Sequence, residues 1–193
     1  MIQIYAICDM ETLIKKGLSL LDFIQITQKN NLVYIQYRDK ISSLELQKEN
    51  ILFLKSQTKI PIIINDCLEL LNYADGLHIG QEDLIRIKNE ELKIKNDELL
   101  FKLLRKKYPH KIFGLSTHNE LEILKANQLP LDYIGLGAYK DTNTKDVSTI
   151  LGDKLSYLAK ISKHPVGAIG GVKMGDFIPN TSFNVISSDL YEN

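Results

Sequence analysis

The feature that most constrains the fold is a regular alternation of short apolar runs with helix-like segments. The runs are almost continuously apolar, as expected of strands that are buried on both faces of a parallel sheet. Eight of them follow one another, at residues 3–8, 32–38, 61–65, 76–79, 111–116, 133–137, 165–169 and 183–187. Eight strands with intervening helices predict an α/β fold, a compact TIM (β/α)8 barrel. A doubly wound sheet is the structural alternative, because the pattern alone does not show that the sheet closes.

The segments between the runs carry helix signals. Ser42 and Glu45 have the spacing of a capping box, and Asp22 follows Ser19 at the same spacing. The long segment at residues 84–107 is heavily charged. We therefore predict that this segment is a solvated helical region outside the barrel.

The end of the sequence departs from a complete barrel. Few residues separate Gly171 from the last apolar run, and the sequence stops soon after that run. We expect a single domain over residues 1–193, with a shortened seventh helix, a missing final helix and an uncovered side. Self-association into a homo-oligomer would cover that side.

Composition excludes some partners. The formal net charge is +0, so the chain has no overall field that attracts nucleic acid or an anionic membrane. No apolar run approaches the roughly 18 residues of a membrane span, and no signal peptide is recognisable. Cys8 and Cys67 lack metal-ligand spacing. We expect a cytoplasmic protein with reduced cysteines and no nucleic-acid or membrane partner.

A cationic cluster follows the second predicted strand. Alternation sends Gln36, Arg38 and Lys40 to one side of that strand. Two cations that face the barrel interior would need an anionic partner, because burying an unpaired charge is costly. The alternative is a solvated loop in which Arg38 and Lys40 pair locally.

Two carboxylates follow the third and fourth predicted strands. Asp66 comes directly after Asn65, and Asp83 lies just beyond the fourth strand. Adjacent parallel strands bring both acids to the same mouth, where they would suit Mg²⁺ together with water and phosphate oxygens. The alternative is that Asp66 and Asp83 only cap the helices that follow.

The remaining strand ends offer phosphate-binding groups. Ser116 ends the fifth predicted strand, and either donates to a phosphate or caps the next helix. His118 is a weak acid–base candidate, and the alternative is a surface or structural histidine. In the loop after the sixth strand, hydroxyl groups and an ammonium group suit phosphate, and the alternative is an ordinary polar turn. After the seventh strand, two glycines either let a phosphate approach main-chain N–H groups closely or only form a turn. These segments are Thr142-Asn143-Thr144-Lys145 and Gly170-Gly171.

Taken in order, the segments at the strand ends resemble the thiamine phosphate synthase family over about residues 4–188. The stretch that ends in Gly80-Gln81-Glu82-Asp83 is highly specific. The other matching segments are Gln36-Tyr37-Arg38-Asp39-Lys40, Ile64-Asn65-Asp66, Gly114-Leu115-Ser116-Thr117-His118, Asp132-Tyr133-Ile134-Gly135-Leu136-Gly137, Thr142-Asn143-Thr144-Lys145 and Ala168-Ile169-Gly170-Gly171.

The resemblance implies a transferase that acts on two small molecules, joining a hydroxymethylpyrimidine diphosphate to a thiazole phosphate and releasing pyrophosphate. It implies Asp66 and Asp83 as Mg²⁺ ligands. The residues implied to hold the pyrimidine diphosphate are Gln36, Arg38, Lys40, Asn65, Ser116 and Lys145. Among these, the residues implied to assist catalysis are Arg38, Lys40, Ser116 and Lys145. The residues implied to contact the thiazole phosphate are Thr142, Thr144, Gly171, Ile186 and Ser187.

Two other functions remain as hypotheses. A thiazole tautomerase, a relative in the same fold, uses a histidine near the fifth strand, and His118 occupies a compatible place. Asn65, Asp66 and Asp83 favour the synthase, because isomerisation needs no metal bound to a diphosphate. The third hypothesis is a non-catalytic ligand-binding barrel. It is favoured by the truncated C-terminal region. In that region, residues 179–184 replace the small, glycine-containing approach to the last strand that is usual in the family, next to the implied thiazole phosphate contacts.

Overall fold

Eight parallel strands pair in chain order, and the last strand also pairs with the first, so that the sheet closes into a barrel. The structure is a computed structural model and describes residues 2–91, 93–141 and 150–192. The strands are β1 Ile4–Asp9, β2 Leu32–Arg38, β3 Ile62–Asn65, β4 Gly76–Ile79, β5 Ile112–Thr117, β6 Tyr133–Leu136, β7 Val166–Ala168 and β8 Phe183–Ile186. Each lies within one residue, at either end, of its predicted run. The TIM-barrel prediction is confirmed, and the open-sheet alternative is wrong.

Helices cover the outside of the barrel. In the described ranges they are α1 Met10–Lys16, α2 Leu20–Thr27, α3 Leu44–Gln57, α4 Gln81–Arg86, α5 Asp97–Lys107, α6 Glu120–Ala126 and α7 Lys154–Ala159. A π-helical turn, Ile87–Glu91, continues α4, and short 3-10 helices form at Leu68–Leu70 and Ser188–Tyr191. None of these helices has the length and apolar character needed to cross a membrane.

One of the two predicted capping boxes is present. At the start of α2, the Ser19 hydroxyl accepts from the Asp22 N–H at 3.2 Å, and the Asp22 carboxylate accepts from the Ser19 N–H at 2.8 Å. The box at Ser42 is wrong, because α3 begins one residue later with Ser43 as its N-cap. The Ser42 N–H instead donates to the carboxylate of Asp39 at 3.0 Å.

The charged segment at residues 84–107 is part of the barrel shell, and the prediction that it lies outside is wrong. Among its described residues, apolar side chains recur at helical spacing and pack into the main core, while Glu98, Lys102, Lys106 and Lys107 are exposed to solvent. The fully or nearly fully buried residues are Leu84, Ile87, Leu100, Phe101 and Leu104. The high charge content of the segment made its narrow apolar stripe hard to recognise in the sequence.

The last part of the barrel is thinly covered, as predicted. The connection between β7 and β8, residues 169–182, contains turns and no helix. After β8 the chain forms the 3-10 helix Ser188–Tyr191. Tyr157 of α7 and Phe177 of the β7–β8 connection are 70% and 81% exposed, as expected where helices are short or absent.

Aromatic rings fill the inside of the barrel. Tyr5, Tyr34, Tyr133 and Phe183 come from four different strands, yet their ring centroids lie 5.4–6.0 Å apart. Such contacts between non-adjacent strands are possible only in the lumen. These rings form a second core, separate from the larger one between the strands and the helices.

Gly114 on β5 makes room for this lumen packing. A first side-chain carbon at Gly114 would lie 2.1 Å from Cζ of Tyr133. We expect Gly114→Ala to lower the free energy of unfolding by about 1–3 kcal/mol, because Tyr133 must move in a packed core. Urea denaturation measures the change. Gly175→Ala is the control, since Gly175 is exposed and has open space around it; equal losses for the two variants would contradict the packing argument.

Candidate active site

The inner face of β2 carries an amide and a cation toward the mouth at the carboxyl ends of the strands. Gln36 is 4% exposed, and its Nε2 donates to the hydroxyl of Tyr5 on β1 at 2.9 Å. Arg38 follows two residues later and therefore faces the same way. Its guanidinium donates to the carboxylate of Asp9 at the end of β1.

Asp9 is a buried counter-charge that the sequence analysis did not single out. It is 2% exposed and pairs with Arg38. The same carboxylate accepts from the main-chain N–H and the hydroxyl of Thr12, at 3.0 and 2.6 Å, and so caps the N-terminus of α1. One side chain thus begins a helix and fixes the guanidinium of Arg38 at the mouth.

Lys40 lies just beyond β2 in a tight turn. The carboxylate of Asp39 holds this turn by accepting from the main-chain N–H groups of Ile41 and Ser42, each at 3.0 Å. Lys40 itself is exposed. Its positive charge is close enough to stabilise the ionised carboxylate of Asp66, which directly follows β3. The local-pairing alternative therefore does not describe Lys40, whereas Arg38 does have a local partner in Asp9.

Asp66 and Asp83 lie side by side at the mouth. A first side-chain carbon at Gly80 would be 3.5 Å from Oδ1 of Asp66 and 3.7 Å from Oδ2 of Asp83, so both carboxylates lie against the same glycine. Asp66 has a left-handed backbone with φ of 59°, which is uncommon for a residue with a side chain. Its carboxylate accepts from the N–H of Gly80 at 2.7 Å and from the Asn65 amide at 2.5 Å.

Burial and the nearby Asp83 change the pKa of Asp66. Burial, together with the charge and hydrogen bonding of Asp83, raises the Asp66 pKa to about 6, and the Gly80 N–H and Lys40 oppose the rise. Asp83 does not cap α4, because the N-cap residue is Gly80 and its N–H donates to Asp66. The helix-cap alternative therefore does not describe either carboxylate.

The acidic pair fits a hard divalent cation. In the described part of the chain no group of three or more His, Cys, Asp or Glu side chains could hold a metal ion, so the candidate site at this mouth consists of a pair of carboxylates. Arg86 donates to Oδ1 of Asp83 at 3.1 and 3.2 Å, while Oδ2 lies beside Gly80, as Oδ1 of Asp66 does. Mg²⁺ typically takes one or two carboxylates and completes its shell with water and phosphate oxygens.

Ser116 lies on β5 and contacts β4 and the start of α4. Its Oγ is 2.9 Å from Nε2 of His78, and its carbonyl oxygen accepts from the Gln81 amide at 2.6 Å. His78 is 6% exposed, and burial lowers its pKa to about 4, so the ring is neutral at pH 7. The Nδ1 atom of His78 lies 3.0 Å from the hydroxyl of Tyr133.

The opposite rim of the mouth contains the glycines after β7. Gly170 and Gly171 have φ values of 84° and 63°, and a side chain at Gly171 would place its first carbon 2.5 Å from the carbonyl oxygen of Asp141. Both positions therefore require glycine. Ile186 is fully buried in the outer core, so only its main chain faces the mouth. The Ser187 hydroxyl is buried and has no hydrogen-bond partner among the described residues.

Three of the residues assigned from sequence lie outside the described residues. They are Thr142, Thr144 and Lys145, which fall in the segment 142–149. The structure therefore brings together Gln36, Arg38, Lys40, Asn65, Asp66, Asp83 and Ser116 on one half of the mouth, with Gly171, Ile186 and Ser187 on the other.

Comparison with known proteins identifies the family. Residues 4–177 match the family model described as thiamine monophosphate synthase. This chain belongs to the thiamine monophosphate synthase family. It is 34% identical over 177 residues to the thiamine-phosphate synthase of Persephonella marina, covering 89% of this chain and 77% of that protein. The same enzyme from Clostridium acetobutylicum is also 34% identical over 177 residues, covering 88% and 76% of the two chains.

A solved structure supports the fold. Thiamine phosphate pyrophosphorylase from Pyrococcus furiosus superposes with a TM-score of 0.71 at 19% identity, covering 97% of this chain and 86% of that one. The thiamine monophosphate synthase match includes the cations after β2 and both aspartates. It ends at residue 177 and so leaves out β8, with Ile186 and Ser187.

Four polar side chains at this thiamine monophosphate synthase site have no role predicted from the sequence: Asp9, Tyr5, His78 and Tyr133. A usable signal was present for Tyr5, His78 and Tyr133, because each is a polar residue of an apolar strand at an inward-facing alternate position. Asp9 lies just beyond the predicted run at residues 3–8. Polar side chains placed there require partners, and the partners come from other strands.

Proposed function

We propose that this chain is a thiamine phosphate synthase, which condenses hydroxymethylpyrimidine diphosphate with thiazole phosphate and releases pyrophosphate. The observation that carries the proposal is the meeting, at one mouth, of the carboxylates of Asp66 and Asp83 with the cationic side chains of Arg38 and Lys40. This combination suits a metal-bound diphosphate. Family membership supports the same reaction.

Asp66 and Asp83 would hold Mg²⁺, which neutralises negative charge on the diphosphate when it is bound. The raised Asp66 pKa supports this assignment, because two adjacent carboxylates in a buried site repel each other unless a cation or a proton intervenes. Asn65 would keep the Asp66 carboxylate in place through its 2.5 Å hydrogen bond.

The remaining side chains would orient and stabilise the diphosphate. Arg38 is fixed by Asp9 and presents further guanidinium N–H groups to the mouth, while Lys40 supplies a mobile ammonium group. Ser116 would donate its hydroxyl to a phosphate oxygen, and Gln36 would contact the pyrimidine diphosphate. We propose Lys145 as a further cation, and Thr142, Thr144, Gly171, Ile186 and Ser187 as thiazole phosphate contacts, with Ile186 acting through its main chain.

We propose a dissociative substitution. The bond between the pyrimidine methylene carbon and the diphosphate oxygen breaks, and its electron pair leaves with pyrophosphate. The thiazole nitrogen then captures the methylene cation. Positively charged groups around the leaving pyrophosphate would stabilise the transition state, in which negative charge develops on it. Holding the thiazole over the pyrimidine methylene cation would lower the entropic cost of bond formation. No protein nucleophile is needed in this scheme.

The tautomerase hypothesis gains no support from the structure. His118 is exposed just before α6, where its Nδ1 lies 2.9 Å from the carboxylate of Glu122 in the first turn of that helix. The same carboxylate accepts from the main-chain N–H of His118 at 2.8 Å, so the contact is local to the start of the helix. His78, which does lie inside the barrel, contacts Tyr133 and Ser116.

A direct assay tests the proposed function. We expect the purified protein to form thiamine phosphate and pyrophosphate in equal amounts from the two substrates and Mg²⁺, and to stop when a chelator is added. Chromatography of the products measures both. Isomerisation of the thiazole without Mg²⁺ would identify a tautomerase instead, and substrate binding without turnover would identify a non-catalytic barrel.

A further inference from the structure

A continuous row of hydrogen-bonded side chains crosses the inside of the barrel. Gln36 Nε2 is 2.9 Å from the Tyr5 hydroxyl, and the hydroxyls of Tyr5 and Tyr133 are 2.9 Å apart. The Tyr133 hydroxyl is 3.0 Å from Nδ1 of His78, whose Nε2 is 2.9 Å from Oγ of Ser116. We call these side chains the lumen network. Its two ends, Gln36 and Ser116, are both proposed to contact the pyrimidine diphosphate.

The middle of the lumen network is sealed from solvent. Tyr5 and Tyr133 are each 1% exposed, and His78 is 6% exposed. Neighbouring glycines leave space for the rings: a first side-chain carbon at Gly135 would lie 3.4 Å from Cε1 of His78. Each buried hydroxyl has a single proton, and a proton left without an acceptor would cost about 1–3 kcal/mol.

Counting protons fixes the direction of the hydrogen bonds. Tyr5 accepts from Gln36, so its own proton must go to the oxygen of Tyr133. The Tyr133 proton must then go to Nδ1 of His78. A neutral imidazole with Nδ1 as acceptor carries its proton on Nε2, and this proton points at Oγ of Ser116. With Nε2 of Gln36 facing Tyr5, as here, a Tyr133 that donated to Tyr5 would leave the Tyr5 proton without an acceptor among the described residues.

The direction determines what Ser116 can do. A serine oxygen that accepts from His78 keeps its own proton available for a second partner. We propose that His78 is a positioning residue, whose Nε2–H donates to Ser116 Oγ and thereby turns the serine hydroxyl proton toward the diphosphate. Tyr133 and Tyr5 hold His78 in the required tautomer. The inference rests on the proposed function, in which Ser116 contacts the substrate.

A pair of matched substitutions tests the direction. Tyr133→Phe and Tyr5→Phe each remove one buried hydroxyl from the lumen. Tyr133→Phe takes away the donor to His78, so we expect kcat to fall about tenfold, the size of one net hydrogen bond. Tyr5→Phe leaves Tyr133 able to donate to His78, so we expect a loss below about threefold. A loss for Tyr5→Phe equal to or greater than that for Tyr133→Phe would overturn the assigned direction.

A double-mutant cycle separates positioning from a general loss of stability. In a Ser116→Ala background, Tyr133→Phe is expected to change kcat by less than about twofold, because the group on which it acts is gone. If Tyr133→Phe lowers kcat equally with and without Ser116, the lumen network acts only on the fold and the proposal is wrong.

The tautomer is measurable without substrate. Nitrogen NMR of the ¹⁵N-histidine-labelled enzyme, with the His78 signals identified by their loss in His78→Gln, is expected to show the Nε2–H form, and a mixture of tautomers in Tyr133→Phe. An Nδ1–H form in the unsubstituted enzyme would mean that the hydrogen bonds of the lumen network have the opposite direction, and would overturn the proposal. If the protein made no thiamine phosphate, the proposed function would fail, while this spectrum would still decide the state of His78.

Discussion

Replacing Asp83 by asparagine is expected to lower kcat by about 10²–10³-fold, because the proposed Mg²⁺ site would lose one of its two protein carboxylates at the point where leaving-group charge would develop. The same change is expected to leave the stability of the metal-free protein unchanged or slightly higher. Asp83 is one of the groups that raise the Asp66 pKa above its ordinary value, after burial, so removing its charge relieves repulsion. The ion pair with Arg86 that is lost is half-exposed and contributes at most about 1 kcal/mol.

Glu82→Gln is the matched control for this prediction. Glu82 is the preceding residue on α4 and carries the same charge, but it is exposed to solvent. We expect its kcat to stay within about twofold of the unsubstituted enzyme. Steady-state kinetics and thermal unfolding, with and without Mg²⁺, measure both variants. A large loss of stability in Asp83→Asn that parallels its loss of activity would make Asp83 a structural residue.

Removing the guanidinium of Arg38 is expected to cost both activity and stability. Arg38→Ala would lower kcat/KM by about 10²-fold, since the diphosphate loses an oriented cation. It would also lower the free energy of unfolding by about 2–3 kcal/mol, because the Asp9 carboxylate, whose side chain is 3% exposed, would remain buried without its cation.

Lys40→Ala separates these two effects. Lys40 is exposed, and the Asp66 carboxylate on which its charge acts keeps its hydrogen bonds from Gly80 and Asn65 when Lys40 is removed. We therefore expect a loss of kcat/KM with a change in unfolding free energy within about 0.5 kcal/mol. Adding Asp9→Asn to Arg38→Ala is expected to recover part of the stability, since asparagine still caps α1 and removes the unpaired charge. Chemical denaturation and kinetics of the three variants give the comparison. Equal destabilisation by Arg38→Ala and Lys40→Ala would contradict the role of Asp9.

The fold was predictable because every strand of a closed parallel barrel is buried on both sides. Continuous apolar runs therefore marked each strand, and the bounds of β2 and β4 are those of the runs. The proximity of Asp66 to Asp83 followed from the same rule, since parallel strands end at one mouth. Segment 84–107 was misjudged because its charges outnumber the few apolar residues that make the buried stripe of α5.

The lumen network could not be found in this way. Its four hydrogen bonds join residues separated by 31, 128, 55 and 38 positions, so no local pattern records them. Asp9 was overlooked for a related reason. From the sequence it is only an acid before a helix, and its pairing with Arg38 depends on the register of β1 against β2, where the two residues are direct neighbours.

The most direct test of the proposed Mg²⁺ and diphosphate site is a crystal structure of the protein soaked with Mg²⁺ and pyrophosphate. We predict one metal ion bound by the carboxylates of Asp66 and Asp83, with pyrophosphate oxygens on the ion and on the side chains of Arg38 and Lys40. Pyrophosphate bound away from this mouth, or a mouth in which the two aspartates hold no metal while pyrophosphate is present, would contradict the assignment.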